Sequence, residues 1–213
     1  MDTTENKMSL REFWEKGYES ETTPFDREEP DSWIVELENQ EKIRGCILDS
    51  GCGPGRTALY LSLRGYEVVG MDISSNAIER AKRKAVEKQC SAQFQQADMC
   101  SLSGYEGMFD TVIDIGCLHS LFEEELRRSY AETLHRICRQ RAMVYIRAFS
   151  NANPKSFHDT GFPLPSLSEE QIRTSFPLEQ WKIRKLEHRE IDVLADGKEI
   201  SKVFCWFAEI ERK

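Results

Sequence analysis

The sequence predicts an α/β domain with a mostly parallel sheet and helices on both faces. Three observations carry that prediction. From residue 46 onward, short apolar runs alternate with amphipathic helical segments, and such alternation builds a parallel sheet through right-handed crossovers. A glycine-rich turn, Gly51-Cys52-Gly53-Pro54-Gly55, leads from the first run directly into a helix. An acid, Asp72, closes the second run.

Residues 1–44 read as an N-terminal helical extension, a candidate lid, ahead of a domain spanning 45–213. Ser9 with Glu12 forms a capping-box pattern that opens a short helix carrying Leu10, Phe13 and Trp14. Thr23-Pro24 and Glu29-Pro30 interrupt it, because proline disfavours helix at the residue before it. A second helix is expected from Asp31 to Lys42, with Trp33, Ile34 and Leu37 for burial.

Cys46-Ile47-Leu48 is a short apolar run of the kind buried on both faces of a sheet. Arg56 to Arg64 reads as a helix ended by Gly65, and Glu67 to Met71 as the second strand. Ser74 or Ser75 caps a helix on which Ile78, Ala81 and Ala85 recur at helical spacing. Further strands are expected at Ala92–Gln96, Phe109–Ile115 and Ala142–Phe149. Leu126, Tyr130, Leu134 and Ile137 mark the helix between the last two. A proline-rich loop over 150–167 precedes a second capping box, Ser168 with Gln171. Two β-rich stretches, Trp181–Ile191 and Val203–Ile210, are joined across Asp196-Gly197, a hairpin signal.

Of the 213 residues, 39% are hydrophobic and 31% charged, with a formal net charge of −8. The acidic balance argues against a nucleic-acid partner, and the densest basic run, Arg80-Ala81-Lys82-Arg83-Lys84, reads as a solvated helix face. No window approaches the roughly 18 consecutive apolar residues of a membrane span, and the first residues lack the apolar core of a secretory signal. No membrane association and a cytoplasmic location are therefore expected. The seven cysteines are odd in number and contain no CxxC pair, as expected of reduced thiols in a reducing compartment rather than of a zinc site. No metal is expected.

The candidate site follows from the glycine turn. Its glycines allow close approach of a ligand to the backbone. Asp72 lies 19 residues beyond Gly53, the spacing at which a carboxylate meets a ribose in nucleotide-binding βαβ units. The dinucleotide pattern GxGxxG is broken, because Arg56 takes the last glycine's place. Asp49 stands immediately before the turn, where its charge would repel a pyrophosphate and attract a ligand carrying ammonium and sulfonium groups. The alternative is that Asp49 only caps backbone amides of the loop. Asp98 after the third strand, where it can accept a hydrogen bond from an adenine amino group, and Gly116-Cys117-Leu118-His119 after the fourth complete a row at the strand ends, where ligands of open α/β sheets bind.

Asp49-Ser50-Gly51-Cys52-Gly53-Pro54-Gly55, Gly70-Met71-Asp72-Ile73-Ser74 and Phe109-Asp110-Thr111-Val112 resemble the successive motifs of class I S-adenosylmethionine-dependent methyltransferases. The resemblance spans about residues 46–150. It implies a Rossmann-like, doubly wound sheet of seven strands, the last one antiparallel, and S-adenosyl-L-methionine as cofactor. It further implies that Asp49, Gly51 and Gly53, with Cys52 and Gly55 in the same turn, surround the methionine part. Asp72 would hold the ribose hydroxyls, Ile73 would pack on the adenine, and Asp98 with Met99 would border it. Gly116 and Cys117 join this cofactor-binding set from the fourth strand end. A narrower similarity links Trp14-Glu15-Lys16-Gly17-Tyr18 and Thr22-Thr23-Pro24-Phe25-Asp26 to the opening segment of thiopurine and small-thiol methyltransferases. Trp14, Tyr18 and Phe25 are accordingly candidate lid or acceptor-pocket residues.

Methyl transfer to a small thiol, amine or hydroxyl is the expected reaction, accelerated chiefly by holding acceptor and methyl group in line. His119 is the first candidate for a general base, as an imidazole titrating near neutrality; Asp114, His158 and Asp159 are others. Two alternatives share the same motifs: an NAD-linked oxidoreductase, and a noncatalytic S-adenosylmethionine-binding scaffold or partner subunit.

Overall fold

The computed structural model describes residues 8–20, 26–153, 165–195 and 199–213. Two short helices come first, α1 (Leu10–Gly17) and α2 (Ser32–Asn39). Then follow β1 (Cys46–Ser50), α3 (Arg56–Leu63), β2 (Glu67–Asp72), α4 (Ser75–Glu87), β3 (Gln93–Gln96) and β4 (Phe109–Ile115). α5 (Glu124–Ile137), β5 (Cys138–Phe149), α6 (Glu169–Ser175), β6 (Trp181–Ala195) and β7 (Glu199–Arg212) complete the chain.

The seven strands form one sheet in the order β3-β2-β1-β4-β5-β7-β6. Pairs among β1 to β5 are parallel, whereas β7 runs antiparallel to both β5 and β6. This is the doubly wound architecture expected, with its antiparallel last strand. The chain winds outward from β1 through β2 to β3, then returns to the other side of β1 to begin β4. That reversal opens a crevice at the carboxyl ends of β1 and β4, where ligands of such sheets bind.

Alternation along the strands feeds two cores. Ile47, Val68, Ile113 and Tyr145 pack with Trp33, Ile34, Leu37, Leu59 and Ile78 from α2, α3 and α4. Leu48, Val69, Val112 and Val144 pack on the other face with Tyr130, Leu134, Ile137 and Ile172 from α5 and α6. β1 is buried along its whole length, as its apolar run implied.

Local chemistry sets the element ends. Both capping boxes form, at Ser9–Glu12 and Ser168–Gln171. Asp31 is the N-cap of α2 through the Trp33 amide rather than its first residue. β5 begins four residues ahead of the expected Ala142, with a register irregularity between Phe109↔Cys138 and Thr111↔Met143. The expected strand start thus marks where the ladder resumes. β6 and β7 extend each other to Ala195↔Glu199; the Asp196-Gly197 turn lies outside the described residues.

The basic run on α4 is not the uniformly solvated face expected. Lys82 and Arg83 are exposed, but Arg80 is buried. Its guanidinium donates to the carbonyls of Tyr18 and Ser20 and lies 3.9 Å from Asp26, which also pairs with Lys84. The run anchors the N-terminal segment.

Candidate active site

A cavity opens at the reversal of the winding, lined from the ends of β1, β2, β3 and β4 and roofed by α1. Among the predicted residues, Trp14, Tyr18, Gly51, Asp72, Ile73, Asp98, Met99, Gly116, Cys117 and His119 line it. Asp49, Cys52, Gly53 and Gly55 do not. Phe25, His158 and Asp159 lie outside the described residues.

The residues behind the cavity build the turn. Buried Asp49 accepts the Ala58 amide in the first turn of α3 at 2.9 Å, so its carboxylate caps backbone and acts on the cavity through its charge alone. Gly55 is the N-cap of α3 with φ +85°. At Gly51 a Cβ would fall 2.8 Å from that of Cys117, and at Gly53 2.7 Å from the Tyr18 hydroxyl. Both glycines have positive φ, so shape and backbone conformation demand glycine together.

Asp72 joins loop, helix and cavity. One carboxylate oxygen accepts the Gly53 amide at 2.8 Å and the other the Ser74 amide at 2.9 Å. A carboxylate has about four acceptor positions, so capacity remains toward the cavity. Asp98 accepts the Cys100 amide at 2.8 Å with one oxygen and also lines the cavity. Asp114 is consumed: it accepts the amides of Cys117 at 2.7 Å and Leu118 at 3.0 Å and the Tyr130 hydroxyl at 2.8 Å. It holds the turn that presents Gly116 and His119 and is not placed to act as a base.

Burial pushes the carboxyls of Asp49 up to about 7 and of Asp72 and Asp114 up to about 6, against the amides that favour their ionised forms. Three buried acids at adjacent strand ends suit a cationic ligand, which would restore their ionisation. With Asp72 open to a diol, Asp98 to a donor, and glycine backbone at Gly51 and Gly116 allowing close approach, the residues fit S-adenosylmethionine.

His119 departs from expectation. Burial, reinforced by the charge of Arg147, drives its imidazole down to about 3. Its Nδ1 accepts the Phe149 amide at 3.3 Å, which leaves the proton of the neutral ring on Nε2. The ring is a hydrogen-bond donor and does not titrate near neutrality.

α1 covers the cavity without a fully buried side chain of its own. Glu15 accepts from the Ser74 and Ser75 hydroxyls at the start of α4, which anchors one edge. Phe13 meets Phe122 edge-on at 5.9 Å between ring centres, and Trp14 stacks on Tyr18. From the sequence, Glu15 and Arg80 had no expected anchoring role and Arg147 was not singled out. Arg147 had a readable signal, a lone cation inside the apolar run Val144-Tyr145-Ile146-Arg147-Ala148-Phe149. Its guanidinium pairs with Asp31, which also lies 3.7 Å from Arg56.

Residues 47–141 match the model of a methyltransferase domain. An uncharacterized methyltransferase of Schizosaccharomyces pombe is 41% identical over 54% of this chain and 79% of its own. The 2-heptyl-1-hydroxyquinolin-4(1H)-one methyltransferase of Mycobacteroides abscessus is 35% identical over 70% of this chain and 67% of its own. A solved structure concerned with conversion of a disulfide bond into a thioacetal group during echinomycin biosynthesis is 32% identical. It superposes with a TM-score of 0.87 over 96% of this chain and 93% of its own.

Fold and site thus define a class I S-adenosylmethionine-dependent methyltransferase, and the chain belongs to that family. It is an enzyme whose cofactor is S-adenosyl-L-methionine; the NAD-linked and noncatalytic alternatives give way to that assignment. The thiopurine branch is not what these matches name. The tRNA 5-carboxymethoxyuridine methyltransferase of Escherichia coli is 30% identical over 56% of this chain and 44% of its own, so the similarities by themselves do not exclude an RNA acceptor. Among the described residues no helix is long and apolar enough to cross a membrane.

Proposed function

We propose that this enzyme methylates a small, largely apolar acceptor held under α1, between the turn after β4 and the end of β5. The observation that carries the reading is the roof. α1 is tied to α4 by Glu15 and meets Phe122 on the far side, above a chamber walled by Leu10, Leu121 and Phe149. A covered apolar chamber suits a small molecule more than a polymer. The 2-heptyl-1-hydroxyquinolin-4(1H)-one for which one relative is named is an acceptor of that size class.

The cofactor, when bound, supplies an electrophilic methyl carbon. In our reading Asp72 holds its ribose hydroxyls, Asp98 accepts from the adenine amino group, and Ile73 and Met99 border the ring. Gly51, Gly116 and Cys117 admit the methionine part to the backbone, with Asp49 supporting it by charge from behind. Trp14 and Tyr18 exclude water above it, so that orientation and desolvation do most of the work.

A product screen tests this reading, using small thiols, hydroxylated heteroaromatics, amines and bulk tRNA, each with labelled S-adenosylmethionine. Label is expected in one or more small acceptors and not in RNA. Labelling of RNA alone would sink the proposal.

A further inference from the structure

We infer that the acceptor is bound and methylated as an anion, recognised by Arg147 with the His119 Nε2–H beside it. The acceptor class is then an acidic thiol, enol or hydroxyl. The inference rests on the small-acceptor reading above and adds the charge state.

The first support is that the described cavity residues that could take a proton are already engaged, on backbone amides or on the cofactor side. His119 already accepts the Phe149 amide at Nδ1. Asp114 is spent on two amides and the Tyr130 hydroxyl. Burial raises the thiols of Cys100 to about 12 and of Cys205 to about 11, and lifts Cys117 and the Tyr18 phenol above their usual ranges. Asp72 and Asp98 hold backbone amides at the β2 and β3 ends, on the cofactor side. An acceptor that must lose a proton therefore arrives without it.

The second support is the distribution of charge. Arg147 lines the cavity from β5, beside His119 of the β4 turn and Cys205 of β7. The charged group facing it from α2 is Asp31, and that carboxylate is shared with Arg56 of α3. Arg56 has Arg27 and Asp49 as further charged neighbours. Among the described residues that line the cavity Arg147 is the one guanidinium, and it shares the Asp31 carboxylate with Arg56. The cofactor end carries Asp72 and Asp98, with Asp114 behind. The cavity thus has an end for a cation and an end for an anion.

The chemistry agrees. The acceptor's lone pair forms the new bond to the methyl carbon, and the carbon–sulfur bond breaks with its electrons passing to sulfur. The sulfonium charge and the acceptor charge vanish together, and no proton changes hands. Attraction between them is stronger in a dry cavity than in water.

The test takes the full chain with S-adenosylmethionine and a series of para-substituted thiophenols that differ chiefly in thiol pKa, with the matching anilines as neutral acceptors. We expect thiophenols to be methylated, with kcat/KM rising to a plateau through each thiol's own pKa, so that the inflection moves with the compound. One inflection common to all compounds, or anilines turned over as fast, overturns the inference. Binding provides a readout independent of turnover. With S-adenosylhomocysteine present, wild type should bind 4-nitrothiophenolate at least about tenfold more tightly than 4-nitroaniline. Arg147→Met should abolish that preference and Arg147→Lys retain it. Equal affinity of wild type for the two probes overturns the inference without any variant. Methylation of anilines alone overturns it while leaving the small-acceptor reading intact, whereas methylation of RNA alone removes that reading.

Discussion

Asp72 shows how one side chain couples structure to ligand. Its two oxygens already hold the amides of Gly53 and Ser74, which places the glycine turn and the start of α4 on either side of the cavity. An asparagine at this position can accept only one of those amides, and its NH₂ would oppose the other. Asp72→Asn should therefore lower the melting temperature. It should also weaken S-adenosylmethionine binding by about 1.5–3 kcal/mol, the range for hydrogen bonds to a charged group. Calorimetry well below the melting transition separates the two effects. Unchanged affinity in a destabilised protein would confine Asp72 to holding the backbone.

At the scale of elements, the two N-terminal helices divide their labour. α2 buries Trp33, Ile34 and Leu37, with Trp33 edge-on to Phe207 at 4.9 Å, and so belongs to the core beneath the sheet. α1 buries none of its residues fully and is held by Glu15, by Phe13 and by the Arg80 guanidinium, which donates to the Tyr18 and Ser20 carbonyls just after it. Deleting residues 1–20 should leave a cooperatively folding protein that has lost most of its turnover, because the roof that excludes water is gone. Deleting residues 1–39 should abolish folding. Loss of a large core side chain costs about 2–5 kcal/mol, and three such losses approach the ~5–15 kcal/mol of a whole domain. Circular dichroism and product formation on the two truncations check both outcomes. A fully active 21–213 chain would remove α1 from the site.

At the scale of the molecule, the winding of the sheet gathers Asp49, Asp72 and Asp114 at one edge, and their raised pKa values have a definite sign. Each binds more protons folded than unfolded between the usual carboxyl pKa of 3.8 and about 6–7. Their contribution to stability is therefore complete below that window and is lost as pH rises through it. His119 acts in the opposite sense, since its neutral ring contributes stability that is lost as pH falls from 6.5 toward about 3. A bound sulfonium favours the ionised acids, so cofactor binding should release protons. Affinity for S-adenosylmethionine should then rise with pH through about 6–7. Calorimetry near pH 6 in two buffers of different ionisation enthalpy measures that release directly. No release would mean that the acids are already ionised in the free protein.

What the sequence determined by itself was local or short in range. Alternating apolar runs define the strands of the sheet, Ser9–Glu12 and Ser168–Gln171 form their capping boxes, and the Asp72 singled out by its spacing from Gly53 accepts that glycine's amide. Each is a relation among residues near in the chain, or one repeated with the period of an element. The tertiary structure decided whatever depends on which strand ends meet. Sequence position could not tell that Asp49 turns to the Ala58 amide, that Arg80 donates to carbonyls 60 and 62 residues away, or that Asp31 reaches Arg147 across 116. Nor could it give the state of His119. That depends on burial and on a backbone amide of β5, 30 residues distant, since desolvation and hydrogen bonding act through space and are set only when the sheet brings β4 and β5 together.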